Sequence, residues 1–155
     1  MYTAQQFEHI FENSSYIVEQ VFERAQYTDA ETLFQAFVNE VQQLTEAQQV
    51  ALLQAHPSLG ANIQMTNHSV AEQQQAGLKQ LTQEQYTNFQ RVNKAYEETF
   101  GFPFIVAVKG KSADTIYALM QQRLTNTRQA EFAEALAQVI QIARFRFDDI
   151  VGVSV

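Results

Sequence analysis

The residues of this chain that could move a proton lie at the two ends of one polar connector: His56 before Pro57, and Ser69, Glu72 and Gln73 beyond it. Pro57 disfavours helical dihedrals at His56, so a helix running to about Ala55 must stop there and leave the imidazole at its terminus. Ser69 with Glu72 three residues on has the spacing of a capping box, which predicts the start of the next helix. A histidine and a carboxylate meeting across such a loop suffice for proton transfer and for orienting a polar substrate. Each residue also has a structural explanation. A histidine is favoured at a helix C-terminus by the dipole, and a glutamate at the third helical position closes a capping box.

Other chemistries find no residues to carry them. There is no Gly-rich phosphate loop, no His-Glu-x-x-His pair, no calcium loop and no Gly-x-Ser-x-Gly elbow. His9, His56 and His68 lack metal-ligand spacing, so no metal site is expected. The absence of cysteine removes disulfides, thiolate ligands and thiol nucleophiles. A net charge of -7 without a basic cluster argues against nucleic acid as a partner. The longest apolar run, Phe102 to Val108, falls far short of the roughly 20 residues a membrane span needs. Neither terminus carries a targeting signal, and a cytoplasmic protein is expected.

The elements that must position these residues read as helices. Five glycines and two prolines in 155 residues leave few interruptions. Ala4, Phe7 and Phe11 predict a short amphipathic helix, broken at Asn13-Ser14. Apolar stripes follow at Ile17 to Ala25 and, after the Tyr27-Thr28-Asp29 connector, at Leu33 to Val41. Thr45 with Gln48 opens the helix that ends before His56, and Ser69 opens one that Gly77 should end. Thr82 with Gln85 heads what reads as the longest helix, with Tyr86, Phe89, Asn93, Tyr96 and Phe100 on one inward stripe. Asn93 there needs partners, either a nearby backbone group or a substrate. Gly101 and Pro103 end this helix.

The run Phe104 to Val108 reads as a buried extended segment with no sheet partner. Its N–H groups need acceptors, from neighbouring loops, water or a ligand carboxylate or carbonyl. Lys109-Gly110-Lys111 is a turn, and Ser112 caps a helix with Ile116, Leu119, Met120 and Arg123 on one face. An arginine on an apolar stripe either snorkels to the edge or is aimed at a buried anion. The last helix follows Asn126-Thr127, with Phe132, Ala135, Leu136, Val139, Ala143 and Phe147 in line. Residues 1–155 thus read as a single all-α domain of about eight helices with one extended apolar segment near 102–108.

Four motifs taken in order carry a resemblance. His56-Pro57-x-Leu59-Gly60, Ser69-x-x-Glu72-Gln73-x-x-Ala76-Gly77-Leu78, Phe89-x-x-x-Asn93-x-x-Tyr96-x-x-x-Phe100-Gly101-Phe102-Pro103-Phe104 and Arg123-Leu124-x-Asn126 together resemble the 2-oxo-4-hydroxy-4-carboxy-5-ureidoimidazoline (OHCU) decarboxylase family. That family catalyses the last step from urate to (S)-allantoin. The family usually has aspartate where Ser58 stands, and the loop from Ala61 to His68 is short for it.

The resemblance implies that His56 is the catalytic proton-transfer residue and that Glu72 orients substrate N–H groups. It implies substrate contacts from Pro57, from Ser69, Val70, Ala71 and Gln73, and from Phe104, Ile105, Val106, Ala107 and Val108, with Arg123 a weaker candidate. It also implies a small ureidoimidazoline substrate and a homodimer. No cofactor is expected: the substrate's C=N bond beside the carboxyl-bearing carbon can take up the electrons released with CO₂. A helical adaptor whose polar connector serves only as caps is the competing reading. A ureide hydrolase is less attractive, because no residue set would generate its nucleophile.

Overall fold

Side chains that bond back to the chain set where each helix begins. Asp29 accepts from the Thr32 amide, Ser112 from Thr115 and Thr127 from Ala130, while Thr45 with Gln48 and Thr82 with Gln85 form the expected reciprocal capping boxes. The structure is a computed structural model that describes residues 1–59 and 82–152. Among these the elements are a 3-10 turn at Ala4–Phe7 and helices α1 (Tyr16–Arg24), α2 (Ala30–Gln43), α3 (Glu46–Gln54), α4 (Gln83–Phe100), α5 (Ala113–Arg123) and α6 (Arg128–Val151). The helix expected from Ser69 and the cap expected at Gly77 lie outside the described residues.

Three expectations are corrected. The first element is not an α-helix but a 3-10 turn continued by single turns, with Ile10 N–H donating to the Phe7 carbonyl and Ser14 N–H to that of Phe11. This tighter path buries Phe7, Ile10 and Phe11 together before Asn13, at φ 49°, ends it. The longest described helix is α6, with 24 residues against 18 in α4, because nothing interrupts the chain between Thr127 and the left-handed Gly152. Tyr86 also leaves its predicted stripe. It sits in the first turn of α4 and is 39% exposed, while Phe89, Asn93, Tyr96 and Phe100 are buried.

Helix α6 is the element on which the others gather: α2, α3, α4 and the 3-10 turn all pack against it. At one end Phe7, Phe37 and Phe147 meet, with the Phe7 and Phe147 rings 5.1 Å apart. At the other, Tyr96 touches Phe100, Phe102 and Phe104. Removing one such buried ring costs about 3–5 kcal/mol, so these two clusters fix the positions of the helix ends between them. Residues 102–108 belong to no helix or strand and are buried throughout, as the apolar run predicts.

Candidate active site

His56 lies just past the end of α3, where Pro57 turns the chain away. Its backbone N–H donates to Leu53, and its Nδ1 stands 3.0 Å from the Leu52 carbonyl oxygen. A carbonyl can only accept, so Nδ1 carries the hydrogen and Nε2 keeps its lone pair. The side chain is 8% exposed. Burial pushes its pKa down to about 4, outweighing the upward pull of the Leu52 carbonyl and of Glu12, and Arg146 pushes it down further. Glu12 and Arg146 form a buried ion pair at 3.2 Å. The helix-end position alone would favour an imidazolium, but desolvation wins, and the ring is neutral at neutral pH.

A cleft of about 480 Å³ opens beside this histidine. Gln54, His56, Pro57 and Ser58 line one side, and Glu97, Gly101, Phe102 and Pro103 the other. Two hydrogen bonds tie these walls: Ser58 Oγ donates to Glu97 Oε1 at 2.7 Å, and Gln54 Nε2 donates to the Gly101 carbonyl at 3.0 Å. Gly101 adopts φ 85°, the left-handed cap that ends α4 and turns the chain into Phe102 and Pro103. Asn93 takes the plainer of its two readings, because its Nδ2 donates to the Leu59 carbonyl at 2.8 Å.

Beyond Pro103 the apolar segment leaves the cleft wall and enters the core. Arg123 Nη1 donates to the Ile105 carbonyl at 2.6 Å, and the Ala107 N–H donates to Gln138 Oε1 at 2.9 Å. The Ala107 carbonyl accepts from Lys111 Nζ at 2.9 Å. Arg123 does not snorkel. At 7% exposure it is aimed at a buried anion, and that anion is the protein's own Glu131, 2.8 Å from its Nε. Tyr96 donates its hydroxyl to the same carboxylate at 2.7 Å, and the Arg123 guanidinium lies 4.5 Å over the Phe104 ring.

Of the residues expected at a site, His56 and Pro57 therefore share the cleft. Phe104 to Val108 continue from its far wall, and Arg123 supports that segment from behind. Ser69, Val70, Ala71, Glu72 and Gln73 lie outside the described residues. Sequence reasoning missed Gln54 and Glu97 in the cleft lining, although both stand in the last turns of helices that His56-Pro57 and Gly101-Pro103 bring to an end. Glu131 and Gln138 gave no signal, since their partners are distant in sequence.

The sequence profile of the OHCU decarboxylases matches residues 2–148. The chain belongs to the OHCU decarboxylase family. A 2-oxo-4-hydroxy-4-carboxy-5-ureidoimidazoline decarboxylase of Halalkalicoccus jeotgali is 38% identical over 91% of this chain and 80% of its own length. A uric acid degradation bifunctional protein of Bacillus sp. is 37% identical over 91% of this chain, which spans only 28% of that relative. The crystal structure of (S)-allantoin synthase aligns with a TM-score of 0.76 at 28% identity, covering 95% of this chain and 49% of that one. The resemblance carried by the four motifs is thus a family membership, and the OHCU decarboxylase fold is the all-helical arrangement described above.

Proposed function

We propose that this chain is a cofactor-free decarboxylase that converts 2-oxo-4-hydroxy-4-carboxy-5-ureidoimidazoline to (S)-allantoin. The observation that carries the reading is His56: a neutral imidazole, its Nδ1 tied to a backbone carbonyl and its Nε2 lone pair available, beside a cleft in a member of the OHCU decarboxylase family. His56 takes the substrate hydroxyl proton as the bond between the ring carbon and the carboxylate breaks. CO₂ leaves, its bonding pair forms a C=C bond to the ureido-bearing carbon, and the former C=N pair passes to the nitrogen, which takes a proton from water. The enolate then collapses to the ring carbonyl as the proton held by His56 is delivered to one face of the ureido-bearing carbon, which sets the (S) hand.

In this reading Glu72 accepts hydrogen bonds from the ureido or ring N–H groups. Pro57, Ser69, Val70, Ala71 and Gln73 hold the remaining edges, together with backbone groups of the Phe104 to Val108 segment. Arg123 acts through that segment, being committed to Glu131 and Ile105. No helix among the described residues is long and apolar enough to cross a membrane. We further propose a cytoplasmic homodimer.

The test is the circular-dichroism time course of freshly oxidised urate carried through hydroxyisourate hydrolysis, with and without the protein. Rapid growth of an (S)-allantoin signal that disappears in His56→Asn supports the reaction and the residue. A decay to racemic product, unchanged by well-folded protein, overturns both.

A further inference from the structure

The cleft beside His56 offers hydrogen-bond acceptors and no cation: neither lysine nor arginine stands among the described residues that line it. Glu97, on the wall opposite His56, has only one of its carboxylate oxygens engaged. Its Oε1 accepts from Ser58 Oγ at 2.7 Å, and among the described residues no donor reaches Oε2. Gln54 is arranged in the same way, its Nε2 donating to the Gly101 carbonyl at 3.0 Å and its Oε1 left over. Both side chains are exposed, so the spare oxygens face outward from the core. Glu97 also stands in the last turn of α4, where the helix dipole disfavours a carboxylate. One hydroxyl satisfies part of this group, and further N–H donors would complete it.

We propose that Glu97 is a substrate-binding residue whose unengaged Oε2 accepts the N–H groups of the substrate's ureido tail. The inference rests on the decarboxylase reading and narrows it. The ureido group stands on the ring carbon next to the one that bears the hydroxyl and the carboxylate. With that hydroxyl at His56 on one wall, the tail is the part of the substrate that extends toward the other. A ureido group brings N–H donors and no charge, which suits a carboxylate that would repel the substrate's own. Glu72 is then left to the ring N–H groups. Ser58 is the positioning residue behind Glu97, because its hydroxyl holds one oxygen and so directs the other.

The exposed position of Glu97 lets Glu97→Ala, Glu97→Gln and Glu97→Lys fold, which far-UV circular dichroism checks. Steady-state kinetics at about 0.15 M salt, where distant charges are screened, reads the role. Glu97→Ala should raise KM about fivefold, the equivalent of one exposed hydrogen bond, with kcat within about twofold. Glu97→Gln keeps an acceptor oxygen and should return KM toward the parent value. Glu97→Lys puts a donor against donors and should raise KM at least as far as Glu97→Ala. The direction is decisive because the substrate is an anion: a carboxylate that only repelled it would, once removed or reversed in charge, leave KM lower. Calorimetric binding of (S)-allantoin, which keeps the ureido group and lacks the carboxylate, should weaken in Glu97→Ala by a similar factor. A KM unchanged or lowered in Glu97→Ala, a KM lower in Glu97→Lys than in Glu97→Ala, or equal allantoin binding by parent and Glu97→Ala overturns the inference. Failure of the parent to decarboxylate would sink the functional reading, whereas a working parent with an indifferent Glu97→Ala sinks only this inference.

Discussion

The Nδ1 atom of His56 and the carbonyl oxygen of Leu52, 3.0 Å apart, fix the proton inventory of the site. The bond turns a residue with two interchangeable tautomers into a base with one face. Its cost is borne by the fold, since charging this ring means charging it in the interior.

That cost sets a pH dependence. With a pKa near 4 in the folded protein against an ordinary 6.5, His56 is neutral in the native state while the unfolded chain takes up a proton between those values. Stability is therefore full above about pH 6.5 and falls as the pH drops toward 4, by about 3 kcal/mol if His56 acted alone. Urea denaturation at pH 7.5 and pH 4.5 measures the difference, and it should shrink in His56→Asn. Turnover, if it uses the neutral ring, stays level from pH 8 to about pH 5.

Breaking the Arg123–Glu131 pair from one side should be severe. Glu131→Leu leaves a guanidinium buried without its carboxylate and is expected to cost about 3–5 kcal/mol. The double variant Arg123→Met with Glu131→Leu should recover part of that loss, because neither charge is then stranded. Chemical denaturation of these two variants and of Arg123→Met alone gives the coupling energy, and a strictly additive result would remove the pair from the account of the core.

Ser58 and Glu97 offer a sharper test of the cleft. Ser58→Asp sets a new carboxylate against the Glu97 carboxylate that Ser58 now bonds at 2.7 Å. We expect a loss of about 0.5–1 kcal/mol at pH 7. Adding Glu97→Gln should restore that stability, and thermal melts of the single and double variants decide it.

Gly101→Ala should cost about 1 kcal/mol through the backbone alone. At φ 85° an alanine is strained, yet nothing stands within 4 Å of where its Cβ would be. Because the Gly101 carbonyl also receives Gln54, the variant tests how stiffly the two cleft walls are joined. The stability change comes from chemical denaturation, and a KM rise larger than the stability loss implies would locate the effect in the cleft.

Much of this architecture was legible in the sequence because its signals are local. Thr45 with Gln48 and Thr82 with Gln85 declare helix starts within four residues, and His56-Pro57 and Gly101-Pro103 declare stops. The apolar run after Pro103 is buried as its composition implies. What stayed hidden depends on distance along the chain. Nothing near Arg123 reveals that Glu131 and Ile105 will receive it, and Glu97 reads as one more exposed helix residue until Ser58 is folded against it. The first helix was misread because spacings of three and four look alike when only two turns are available.

Helix α6 supports the site at three points along one side: Glu131 steadies Arg123, Gln138 holds Ala107, and Arg146 pairs with Glu12 near His56. These supports share a face because their separations of 7 and 8 residues keep all three within about 80° of one another around the helix. Since each residue adds about 100° of rotation, one codon gained or lost between Glu131 and Arg146 would swing an entire set of contacts away from its partners. Substitution can retune this helix one contact at a time, but its length is locked in phase with the rest of the molecule.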